Sequence, residues 1–195
     1  MRRALLLLLL IPTLALGSVP DTRPAPIALT DSEQSAVSRG KIVIRNEDTP
    51  TGGMVTGVAD IDATPAAVWA ALFDFEARVS ELGALEAVST YREGEPLGVR
   101  WELKVFGTSV IFHNLYHRDE AAGWSRYSLD AEKKNDLVSV EGAYQVYTVG
   151  DKTRLVYRSM TDSGRSIPSF IKNWLGSRSL NAQLDGIRNR AQAAP

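Results

Sequence analysis

Residues 166–192, SIPSFIKNWLGSRSLNAQLDGIRNRAQ, decide the fold. Ser166 suits a helix N-cap, with Ile167 and Pro168 inside the first turn, where a missing amide donor does no harm. Ile167, Phe170, Ile171, Trp174, Leu175, Leu180, Leu184, Ile187 and Ala191 then recur at helical spacing. Lys172, Arg178, Asp185, Arg188 and Arg190 take the other face. Such a helix is about 40 Å long at ~1.5 Å per residue. Gly176 and Gly186 weaken it by up to ~1 kcal/mol each relative to alanine, so an apolar surface elsewhere has to hold it.

That surface is legible upstream. From Leu85 to Met160 the polarity alternates with period two, in six runs at 85–92, 98–106, 109–118, 124–131, 137–149 and 153–161. Short turn-forming links separate them, which predicts neighbouring strands in an antiparallel meander. Trp101, Leu103 and Val105 alternate with Arg100, Glu102 and Lys104, so this strand turns one face to water. Two further strands are expected at 41–45 and 54–62, joined by the turn residues of 48–53. Thr30 and Glu33 form a capping box that opens a short helix ending near Gly40. Thr64-Pro65 opens a second helix that carries Val68, Trp69, Leu72 and Phe73 to about Asp74, and a shorter helical piece ends before Gly83. The sum is an α+β fold, a curved antiparallel sheet wrapped around a long C-terminal helix. A sheet bent around a helix leaves room for an apolar pocket with a few placed polar groups.

With 195 residues, 44% hydrophobic and 23% charged, the chain suits one domain. Met1-Arg2-Arg3, the leucine-rich run Ala4–Ile11 and the small residues Ala15 and Gly17 predict a cleaved secretory leader over 1–17, hence a secreted or periplasmic protein. The proline-rich stretch 18–29 reads as a flexible linker, and 30–195 as the domain. With Arg2 and Arg3 in the leader, 20 basic residues face 23 acidic ones, a net charge of −3 that gives no field for nucleic acid. The absence of cysteine excludes disulfides, thiol catalysis and cysteine-ligated metals.

Several motifs resemble the START (steroidogenic acute regulatory protein-related lipid transfer) domain. Lys152-Thr153-Arg154-Leu155 with Tyr157, then Asp162, Ile167-Pro168 and Asn173, resemble its C-terminal signature. Gly40–Ile44 resembles its first strand, and Val58–Asp74, with Asp62-Ala63-Thr64-Pro65 and Val68-Trp69, its second strand and following helix. The resemblance spans about residues 30–190 and implies the helix-grip fold shared with the Bet v 1-like superfamily. It further implies one lipid, sterol-like or isoprenoid molecule held under the last helix without cofactor, metal or chemistry, in a monomer making transient membrane contact. The same superfamily includes polyketide cyclases and dehydratases, the alternative reading. His113 stands where the family often has a cavity arginine.

On these grounds the ligand-binding candidates are Trp101, Leu103, His113, Tyr144, Tyr157, Phe170, Ile171 and Trp174. The aromatic and aliphatic members either touch ligand or pack as ordinary core, tyrosine hydroxyls serving as handles in the first case. His113 shares phase with Ile111 and Leu115 and faces the cavity, or lies on the outer face opposite Phe112. It is also the one attractive acid or base for the cyclase alternative. His113 and His117 sit ~13 Å apart along a strand, too far to share a zinc ion. Arg126, Glu141, Arg154 and Arg158 read as cross-strand pairs on the wet face, or as a buried pair at the ligand's polar end. Asp60 and Asp62, near a turn, read as solvated.

Overall fold

The computed structural model describes residues 22–49, 52–105, 107–162 and 179–194. Helix α1 (Asp31–Ser38) starts at Thr30, whose hydroxyl accepts from the Glu33 amide while the Glu33 carboxylate accepts from the Thr30 amide, the expected capping box. Strands β1 (Val43–Thr49) and β2 (Gly52–Ile61) follow. Next come α2 (Pro65–Phe73), capped by Thr64, and the one-turn α3 (Arg78–Glu81). Six strands complete the run: β3 (Leu85–Arg92), β4 (Leu97–Val105), β5 (Thr108–Asp119), β6 (Trp124–Leu129), β7 (Ser139–Val149) and β8 (Lys152–Asp162). Helix α4 (Ser179–Ala193) closes the described chain. The expected helix turns at 166–178, with Phe170, Ile171 and Trp174, lie outside the described residues.

All eight strands form one antiparallel sheet in the order β1-β2-β8-β7-β6-β5-β4-β3. Chain neighbours pair everywhere except at β2–β8, which joins the first hairpin to the end of the meander. This is the helix-grip architecture, with α2 and α4 against the concave face.

Leu180, Leu184, Ile187 and Ala191 of α4 are buried, as the periodicity predicts. Two glycines let the helix settle. A Cβ on Gly57 of β2 would stand 2.6 Å from Leu184 Cδ1, so the strand is bare where the helix touches it. A Cβ on Gly186 would collide with the Glu81 carboxylate of α3. Close approach, not helix propensity, accounts for that residue. Arg190 ties the same corner, donating to Glu81 and to the Ala71 carbonyl at the end of α2.

The convex face has its own cover, built partly by residues of the stretch read as a linker. Ile27 and Leu29 pack with α1 over Val37, Val58 and Val156, and Gln145 donates to the Pro24 carbonyl at 2.7 Å. Residues 22–29 therefore lie along the domain as part of its outer layer. Beneath α1, Arg154 holds Asp60 through both carboxylate oxygens at 2.6 and 2.8 Å, and also donates to Gln34 at 3.1 Å. The two are cross-strand partners with side chains only 6% and 5% exposed. Asp60 is thus buried and paired, because the helix covers it, and Arg154 sits away from the cavity.

Candidate functional site

Between α3, α4 and the concave face lies a cavity of about 120 Å³. Its wall is built by strand register. Tyr116 of β5 is directly opposite Tyr127 of β6, and Tyr144 of β7 opposite Tyr157 of β8, all on one face. The partner of Tyr127 on β7 is Gly142, where a Cβ would collide with the tyrosine ring. The missing side chain lets that ring lie across the sheet, with centroids 5.0 Å from Tyr116 and 5.6 Å from Tyr144. Tyr144 and Tyr157 are likewise 5.0 Å apart, and the Tyr127 and Tyr157 hydroxyls share a 2.8 Å hydrogen bond. Burial pushes the Tyr157 phenol up to about 12, and those of Tyr116 and Tyr127 well above their ordinary value. At neutral pH they are uncharged groups able to donate or accept one hydrogen bond.

Among the candidates, Trp101, Leu103, Tyr144 and Tyr157 line this cavity. His113 does not. On β5 the inward phase belongs to Phe112, Asn114 and Tyr116, so His113 points to the other side. There the loop after β6 caps it: Asn135 Oδ1 accepts from the His113 amide at 2.7 Å and stands 3.2 Å from Nδ1. The Tyr91 ring meets the imidazole edge-on, 5.4 Å between centroids. Apolar residues on both phases of 109–118 left the strand's facing open, and the loop decides it.

The residue that composition does not reveal is Arg78. A one-turn Arg-Val-Ser-Glu helix reads as solvent-facing, yet Arg78 is 1% exposed and lines the cavity. Its Nη2 donates to the Leu72 carbonyl at the C-terminal end of α2, where the helix dipole favours a cation. The guanidinium carbon sits 4.8 Å from the Phe75 ring centroid and 5.7 Å from that of Trp101. Among the described residues no carboxylate pairs with it. Burial opposes its charge, the Tyr144 and Tyr116 oxygens favour it, and the balance holds its proton above the ordinary arginine range.

Among the described residues, three buried polar atoms on the cavity lining have no hydrogen-bond partner: Arg78 Nε, Trp101 Nε1 and Asn114 Oδ1. Leaving such a group unpaired costs about 1–3 kcal/mol. The two donors suit a ligand oxygen, and the amide oxygen suits a ligand donor such as a hydroxyl. Among the described lining residues there is no carboxylate and no imidazole. Among the described residues, too, no three His, Asp or Glu side chains gather as a metal site, and no helix is long and apolar enough to cross a membrane.

Comparison with known proteins places this geometry in a fold class. No protein-family model matches the sequence, nor does any curated protein. Solved structures do match in fold. The STAR-related lipid transfer protein of Xanthomonas axonopodis superposes with a TM-score of 0.61 at 15% identity, over 78% of this chain and 93% of its own. A protein of Thermus thermophilus gives 0.62 at 20% identity, over 72% and 97%. The Zhui aromatase/cyclase of a Streptomyces species gives 0.56 at 18%, over 71% and 93%. The chain has the START/Bet v 1-like helix-grip fold. At these identities the likeness is one of fold, and the site has to speak for function.

Proposed function

We propose that this protein binds one apolar small molecule in the chamber between sheet and α4, with an oxygen of that molecule against Arg78, and leaves it chemically unchanged. The observation that carries the reading is the buried guanidinium without a carboxylate, beside an unpaired indole N–H and amide oxygen. A lipid, sterol-like or isoprenoid molecule with an oxygenated end, as expected from the sequence, shares that build. Comparable folds named for lipid transfer support it.

The aromatase/cyclase neighbours keep a cyclase or dehydratase in view, since Arg78 is able to stabilise an enolate oxygen. Such chemistry also needs a base. His113 is on the far side of the sheet, and the Tyr116, Tyr127 and Tyr157 phenols hold their protons at neutral pH. Binding without turnover is the better supported reading.

Mass spectrometry of small molecules extracted from the purified full chain, after incubation with a total lipid extract, tests it. One oxygen-bearing apolar compound at about one per chain is expected, and a consistently empty extract overturns the reading. The leader at 1–17 supports export as a further part of this proposal. N-terminal sequencing of protein from the exported fraction should start after residue 17, whereas an intact Met1 confined to the cytoplasmic fraction would refute it.

A further inference from the structure

Resting on that reading, we infer that the ligand is a flat single-ring aromatic acid, its carboxylate on Arg78 and its ring face against the tyrosine wall, rather than a long acyl chain. Size comes first. A cavity of about 120 Å³ is the scale that admits a single aromatic ring, as an apolar cavity of ~150 Å³ holds one benzene. A long acyl chain is several times bulkier.

The wall comes second. Four adjacent strands present Tyr116, Tyr127, Tyr144 and Tyr157 side by side, and Trp101 and Phe112 extend the surface on β4 and β5. Aromatic rings gain from tilted and offset contact with one another beyond the area they bury, a gain that methylenes do not share.

Polar placement comes third. An acyl-chain channel has to be apolar along its length. Here polar groups sit around the chamber: Arg78 from α3, Asn114 from β5, Ser159 from β8 and Gln183 from α4. Methylenes against Arg78 Nε and Asn114 Oδ1 would leave both without a partner. A compact acid avoids this conflict, its carboxylate answering Arg78 and the indole N–H of Trp101 while its ring covers the tyrosines. The bond from guanidinium to carboxylate is charge-assisted, and since no carboxylate among the described residues pairs with Arg78, that role is left to the ligand.

Isothermal titration calorimetry on the full chain tests this with three probes: benzoate, toluene and palmitate. The expected result is benzoate binding at least about tenfold more tightly than either of the others. Arg78→Met should erase the advantage of benzoate over toluene. If that variant does not fold, the wild-type comparison of benzoate with toluene still tests the demand for a carboxylate. Equal affinity for benzoate and toluene overturns the inference. A preference for palmitate overturns it as well, while leaving the apolar-ligand reading intact. No binding of any probe refutes the inference, and an empty extract in the preceding experiment separately refutes the reading beneath it.

Discussion

Two arginines are buried on opposite faces of one sheet, and their surroundings differ in a way that separates architecture from function. Arg154, under α1, grips Asp60 with two hydrogen bonds and Gln34 with a third. Arg78, under the concave face, has a backbone carbonyl and two aromatic rings for company and an unpartnered Nε. Burying a charge is costly unless it is paired and hydrogen-bonded. A completed pair explains its own presence in the fold. An incomplete one calls for something the chain does not supply.

The comparison breaks most visibly at Asp60. Asp60→Ala strands a buried guanidinium and should lower unfolding stability by about 3–5 kcal/mol, read from urea denaturation. A loss below about 1 kcal/mol would mean that Arg154 is solvated in practice and the contrast is void.

Alkaline pH sharpens the concave side. Folded Tyr157 keeps its proton to about pH 12, and Tyr116 and Tyr127 are also raised well above their ordinary value, while the unfolded chain releases its phenol protons near pH 10. Between those values the unfolded state binds fewer protons, so stability is intact below about pH 10 and falls as pH rises towards 12. A fall on the order of 2 kcal/mol in unfolding free energy is expected from urea denaturation, smaller in Tyr157→Phe. Phenolate absorbance rising at the ordinary tyrosine pH before any unfolding would show the wall to be wet.

Arg78→Met gives the smallest expected change in stability, within about 1 kcal/mol of wild type. It removes a buried charge that no carboxylate pairs with among the described residues, and loses the hydrogen bond to the Leu72 carbonyl and the favourable contact with the Tyr144 oxygen. A destabilisation as large as that of Asp60→Ala would make Arg78 a structural residue and remove the ground for placing ligand there.

Much of this was legible one residue at a time. The caps at Thr30 and Thr64 and the stripe Leu180, Leu184, Ile187 follow from local hydrogen-bonding chemistry and helical spacing. The inward placement of Trp101, Leu103, Tyr144 and Tyr157 follows from alternation along their strands. Where alternation was ambiguous, the reading stayed open. Residues 109–118 carry apolar side chains on both phases, and the loop of Asp130–Asp136 places His113 outward. Arg78 left no signal because burial of a one-turn helix depends on its neighbours: Phe75 just before it, Trp101 on β4 and the end of α2.

By itself the sequence determined the elements, their capping and the face each turns inward, because those depend on residues within a few positions of one another. Tertiary structure alone decided that β2 pairs with β8, that α1 covers Asp60 and Arg154, and that Arg78 meets a chamber with no counter-charge among the described residues. Each of those outcomes brings together groups distant in the chain, and whether a charge is buried, paired or left waiting depends on what the rest of the fold sets beside it.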